Sequence, residues 1–318
     1  MMLLLAGYCV LIVAASFCGG WLPFAVELTH RRLQMMISMV GGLMLGIGMF
    51  HMLPHAVVAM GPGSLDRAVA WMMLGLLVMF FLIRMFHFHQ HDVHIVHAMP
   101  DTGQPDGCVV HEHGQNHTHA HQHAVPNHVL SQHAHKPAHP WSWFGVAVGL
   151  ALHTLIDGVA LGASIQADEG HPVLWSLYGF GTFAAIFLHK PLDAISITSI
   201  MAAGGWSAGW RHAVNGGFAL MCPLGAVLFV TGVDRFAEYQ SVLIGGALAF
   251  AAGVFVCISL GDLLPELEFH AHDRLKLSAM LLLGVAAAYA IGFLEPAHFH
   301  RTPIGSAVDT NEGGQSAR

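Results

Sequence analysis

Apolar residues in this chain fall in long unbroken runs, separated by short polar stretches. Eight runs reach the roughly 20 residues that an α-helix needs to cross the hydrocarbon core of a bilayer. They cover approximately residues 2–26, 34–58, 67–86, 142–166, 173–202, 210–232, 240–263 and 277–295. The first begins Met1-Met2-Leu3 with no basic leader and no cleavage signal, so it reads as a span and not a signal peptide. The pattern predicts an all-α, polytopic membrane bundle of eight transmembrane helices. Spans 1–3 lie within residues 1–86 and spans 4–8 within 141–296.

One connection is long. Residues 87–140 are polar, broken by Pro100, Pro105, Pro126, Pro137 and Pro140, and hold 15 of the 26 histidines. Such a segment cannot bury enough apolar surface to fold alone and reads as a disordered His-rich loop. Its densest stretch, His111, His113, His117, His119, His121 and His123, is suited to loose metal capture. Residues 297–318 read as a flexible tail.

Composition narrows the class. The 318 residues are 55% hydrophobic and 10% charged, with a mean hydropathy of +0.59. A soluble domain carries about 25% charged residues. This balance excludes a disordered chain, an ordinary soluble enzyme and a nucleic-acid partner, and makes the lipid bilayer the first partner. The five cysteines include no CxxC pair and four sit in apolar runs, so neither a thiolate metal centre nor a disulfide framework is expected. Basic residues set the orientation. Loops after the odd spans carry Arg31, Arg32, Arg84, Lys136, Arg211, Arg274 and Lys276, against Arg67, Arg235, Arg301 and Arg318 opposite. The odd loops, and with them the His-rich loop, are therefore expected in the cytoplasm, with both termini outside it.

Polar groups within a bilayer are expensive and usually functional. They concentrate in spans 4 and 5, as His153-Thr154-Leu155-Ile156-Asp157-Gly158 and His189-Lys190-Pro191-Leu192-Asp193. Both have the form H-x-x-x-D, which places an imidazole and a carboxylate on one helix face. Two such faces turned together surround a point with two nitrogens and two carboxylates. That set suits tetrahedral Zn²⁺ and also admits Fe²⁺, Mn²⁺ or Co²⁺. Gly158 and Gly162 form a small-xxx-small pair for close helix packing, and Pro191 is expected to kink span 5 near His189. Two further pairs, His51/His55 in span 2 and Asp262/Glu266 in span 7, stand near span ends and read as a vestibule or gate.

These motifs resemble those of the ZIP (Zrt/Irt-like) family of divalent metal transporters. The resemblance covers most of residues 1–295 and implies a ZIP-like fold. The family's span 4 motif is matched by His153, Thr154, Asp157 and Gly158, and its span 5 motif by His189, Lys190 and Asp193. The family's span 2 ending H-x-L-P is matched by His51, Leu53 and Pro54, with His55 where a glutamate is usual. The resemblance implies that His153, Asp157, His189 and Asp193 bind the transported ion, and that Met44 can face the same site. Many members hold a second metal through the second position of both motifs. Here those positions are Thr154 and Lys190, and an ammonium repels a cation. A single-metal site is expected, with Lys190 as the surrogate for the second ion. Pro191 sits one position earlier than the family's usual proline.

The expected function is transport of a divalent cation, zinc above others, into the cytoplasm across a cell (inner) membrane. The ion is cargo and no cofactor is expected; a homodimer is the family-based expectation. The alternatives are an intramembrane zinc hydrolase, for which no HExxH motif is present, and a cation exporter, which usually has six spans and a folded cytoplasmic domain.

Overall fold

A bilayer core offers no water to backbone N–H and C=O groups, so an apolar run must close its hydrogen bonds within itself. The computed structural model describes residues 1–25, 29–86, 142–168, 178–269 and 274–292, with side chains for all but 22–25, 30, 86, 142 and 262–269. Among the described residues there is no strand, and eight helical stretches are long and apolar enough to cross a membrane. Span 1 is α1 (Met2–Ala25). Span 2 joins α2 (His30–Ile47), a π-helical turn (Gly48–Met52) and α3 (Leu53–Met60). Spans 3, 4 and 5 are α4 (Leu65–Phe86), α5 (Ser142–Asp168) and α6 (Phe180–Ala203). Span 6 is split into α7 (Ala208–Ala219) and α8 (Met221–Arg235). Spans 7 and 8 are α9 (Gln240–Phe269) and α10 (Arg274–Ile291). The His-rich loop and the tail after residue 296 lie outside the described residues.

Proline accounts for two local departures from a plain helix. Pro54 has no N–H and its ring crowds the carbonyl four residues back. The preceding turn widens, so that the Leu53 N–H reaches the Gly48 carbonyl, five residues away. In span 6, Pro223 and the Gly216-Gly217 pair interrupt the run at Leu220, where two helices meet. Span 5 begins later than its apolar run, at Phe180, because Gly179 turns the chain with φ +66°. Pro191, by contrast, sits inside an α6 that continues unbroken.

The helices pair side by side: α2 with α10, α4 with α9, α5 with α8, and α1 with α6. Glycine makes these seams backbone-tight. A Cβ added to Gly158 would lie 2.0 Å from the Cys222 carbonyl oxygen, and one on Gly225 2.1 Å from that of Leu155. The same reciprocal fit joins Gly42 and Gly284 across α2–α10, and Gly75 and Gly253 across α4–α9. On α1, a Cβ at Gly19 would meet the Pro191 backbone at 2.4 Å. Lipid-facing surfaces carry exposed Leu77, Phe80 and Phe81 on α4 and Leu282 and Leu283 on α10.

Two polar ties fix α5 against α6. The Gly179 N–H donates to Asp168 Oδ2 at 2.7 Å, placing a carboxylate at the positive start of α6. One turn inward, the Ser164 and Thr182 hydroxyls are 2.6 Å apart. Ser164 and Thr182 each lie seven residues, two helical turns, from Asp157 and His189. The tied ends therefore hold the two H-x-x-x-D faces in register.

Candidate metal centre

The His153/Asp157 face of α5 and the His189/Asp193 face of α6 meet in one buried pocket. Asp157 is fully buried, and His153 and His189 are nearly so. Asp157 Oδ2 lies 3.2 Å from His189 Nε2 and 3.5 Å from His153 Nε2. Asp193 Oδ2 stands 3.8 Å from His189 Nε2 and 4.0 Å from His153 Nε2. The two imidazole rings are 5.4 Å apart between centroids. Donors bound to Zn²⁺ at about 2.0–2.1 Å in a tetrahedron are separated by about 3.3–3.4 Å along each edge. The four separations above, 3.2–4.0 Å, bracket that edge from its lower side upward. His153, Asp157 and His189 form the tightest set, with donor atoms all within 4.8 Å of one another. Asp193 is the looser fourth group, its side chain 17% exposed.

Two features orient these donors. The His189 Nδ1–H donates to the Ala185 carbonyl at 2.8 Å, which leaves Nε2 as the nitrogen facing the carboxylates. Phe255 of α9 meets the same ring edge-on at 6.1 Å. Three buried atoms of the pocket, Asp157 Oδ1, His153 Nδ1 and Asp193 Oδ2, have no hydrogen-bond partner. Buried polar atoms are normally satisfied, so orphans in a pocket of this composition fit a cation-binding cavity.

Thr154 and Lys190, the second positions of the two motifs, are in contact: Lys190 Nζ donates to Thr154 Oγ1 at 2.5 Å. The ammonium also lies 3.5 Å from Asp193 Oδ2 and 3.7 Å from Asp157 Oδ2, and 4.2 Å above the Phe218 ring of α7. It is fully buried. Burying a charge is tolerable only with partners, and this one has a hydroxyl, two carboxylates and an aromatic face.

The other candidate residues are placed as follows. Met44 is buried in the large apolar cluster that also contains Phe255. His51 and His55, expected where water begins, are buried within span 2. His51 Nε2 donates to the Ala288 carbonyl of α10 at 2.7 Å. That carbonyl belongs to the last turn of its helix, where the Gly292 N–H turns back to Tyr289 instead. Such end carbonyls lack an intrahelical donor, and His51 supplies one. The side chains of Asp262 and Glu266, and the loop histidines from His111 to His123, lie outside the described residues. Phe218, Phe255 and the Ala185 carbonyl were not singled out by sequence. Two are apolar residues in apolar spans and the third is backbone, so none carried a local signal.

The family model of the ZIP zinc transporters matches residues 2–292. Zinc transporter ZIP9-B of Xenopus laevis is 23% identical over 286 residues, covering 83% of this chain and 84% of that protein. Zinc transporter ZIP1 of Takifugu rubripes is 28% identical over 156 residues, covering 49% and 48% of the two chains. Human zinc transporter ZIP10 is 27% identical over 194 residues, covering 56% of this chain and 20% of its own length.

Proposed function

The chain belongs to the ZIP zinc transporter family, and on that premise we propose that it carries one divalent cation, zinc before others, through the pocket between α5 and α6 into the cytoplasm. His153 and His189 supply neutral imidazole nitrogens, and Asp157 and Asp193 supply carboxylate oxygens. The observation that carries the reading is that each carboxylate approaches both imidazoles to 3.2–4.0 Å, with Asp157–His189 and Asp193–His153 closing across the α5–α6 seam. Asp157 Oδ1, buried without a donor, is a further oxygen that a cation would satisfy.

A mixed nitrogen and oxygen set also accommodates Fe²⁺, Mn²⁺ or Co²⁺. Occupancy is limited to one ion, because the Lys190 ammonium, bonded to Thr154, holds the neighbouring position where a second cation would need donors. Asp193 is the loosest of the four groups, its buried Oδ2 standing 3.8 and 4.0 Å from the two imidazoles, and it closes last on the ion. Met44 is the remaining candidate contact. His55, Asp262 and Glu266 belong to the approach or exit route. The protein works as a multi-pass protein of a cell membrane with its termini outside the cytoplasm, the orientation its Lys/Arg distribution favours.

The test is Zn²⁺ flux into liposomes holding the purified full chain. Wild type accumulates Zn²⁺ above empty liposomes, and Asp157→Ala, inserted to the same level, does not. Equal flux in both would place the transport site elsewhere.

A further inference from the structure

Lys190 raises a question that single-ion occupancy does not answer. Filling one donor position would need only an apolar side chain, yet the pocket holds a full charge with no exposure to solvent. The charges around it are those of Asp157 and Asp193, 3.7 and 3.5 Å away. With neutral imidazoles, the empty pocket carries −1, from two carboxylates and one ammonium. Loaded with a dication it carries +1. Without the ammonium the corresponding values would be −2 and 0.

The cost of holding charge in a medium of low dielectric grows with the square of that charge. With Lys190 the squares are one for the empty pocket and one for the loaded pocket. Without it they are four and zero. The ammonium therefore makes the two forms equally easy to move or enclose within the membrane. Its removal would leave the loaded form free to reorient and the empty form held back by two unpaired carboxylates. Thr154 and Phe218 keep the ammonium beside both carboxylates, so the charge stays with the pocket.

We propose that Lys190 is a tethered counter-cation that permits the empty carrier to return, and so permits net transport in place of ion-for-ion exchange. This rests on the reading of the chain as a divalent-cation carrier. Net uptake needs one empty passage in every cycle, whereas exchange uses only loaded passages. The two modes therefore separate the role of Lys190 from that of the ligands. What matters at this position is a cation, so an arginine, which is permanently charged, is the conservative substitute.

The experiment uses the full chain in liposomes with the potential clamped by potassium and valinomycin. Isotopic Zn²⁺ entry is measured into metal-free vesicles and into vesicles preloaded with unlabelled Zn²⁺. For Lys190→Met, the ratio of net entry to exchange falls about tenfold or more relative to wild type, as expected when buried carboxylates lose their cationic partner. Lys190→Arg moves the ratio back toward wild type. Equal loss of both modes in Lys190→Met, or an unchanged ratio, overturns the proposal by making Lys190 a structural or bystander group. If Lys190→Met does not insert, Lys190→Gln is read by the same ratio. Failure of wild type in both modes would overturn the carrier reading itself, an outcome distinct from a normal wild type with an unaltered ratio in the variant.

Discussion

Replacing Gly158 with alanine adds one methyl group where the α5–α8 seam has no room. The new Cβ would start 2.0 Å from the Cys222 carbonyl oxygen and 2.8 Å from the Ala226 nitrogen, both backbone atoms that cannot rotate away. Ordinary contact begins near 3.4 Å, so the helices must part by about 1.4 Å (3.4 less 2.0). Overpacking of this kind costs about 1–3 kcal/mol or more, against a gain of about 1 kcal/mol for alanine over glycine inside a helix. The net effect is destabilising. Gly232, also on α8, supplies the control, because a Cβ there meets nothing within 4 Å. Gly232→Ala keeps only the helix-propensity gain and is neutral or stabilising. Thermal unfolding in detergent reads both, with shifts of about 2–4 °C per kcal/mol expected for a chain of this order of size. Asp157 adjoins Gly158, so the shift also displaces a proposed ligand. A misplacement of about 1 Å can cost about a hundredfold at a preorganised site, and the Zn²⁺-induced rise in melting temperature should shrink with it. A Gly158→Ala protein that melts at or above wild type, or a Gly232→Ala protein that melts clearly below, would refute the seam argument.

Three other outcomes follow from the pocket. Zn²⁺ binding requires unprotonated imidazoles and ionised carboxylates, so uptake falls as the pH drops from about 7.5 to about 5; a flat profile in the liposome assay counts against these ligands. Metal analysis of purified protein titrated with Zn²⁺ after removal of the His-rich stretch 105–139 gives one ion per chain, and Lys190→Glu raises the number toward two. A second tightly held ion in the wild-type version of that deletion would contradict the surrogate role of Lys190. Asp193→Ala, which removes the loosest of the four proposed ligands, weakens Zn²⁺ uptake with insertion unchanged and narrows the preference for Zn²⁺ over competing Mn²⁺; an unchanged preference would show that Asp193 does not contact the ion.

Some of this architecture is legible in the sequence because a bilayer imposes it. An apolar run of sufficient length has to be helical, and the bounds of α4 and α5 fall within two residues of their runs. The H-x-x-x-D repeats stand out for the same reason, since spans tolerate few polar groups and spacing by four shares a face. What local pattern does not carry is partnership. Nothing in the α5 sequence says that Gly158 faces Cys222 and not another helix. Nothing near Lys190 announces that Phe218, across a helix–helix junction, supplies the ring over its ammonium. The π turn before Pro54 and the break at Leu220 are also choices of the fold. Proline forbids the regular hydrogen bond in both, yet one span widens and continues while the other divides into two helices.

The His51–Ala288 contact has a wider consequence for reading histidine in this chain. Where water is excluded, an imidazole N–H can act as internal solvent, satisfying a backbone carbonyl that would otherwise face hydrocarbon. His189 divides this labour within one ring, with Nδ1 turned to the Ala185 carbonyl and Nε2 to the pocket. Abundance of histidine therefore does not measure metal chemistry in a span. The relevant count is of ring nitrogens left over after the backbone has taken its share, and at His51 the Nε2 position is already taken.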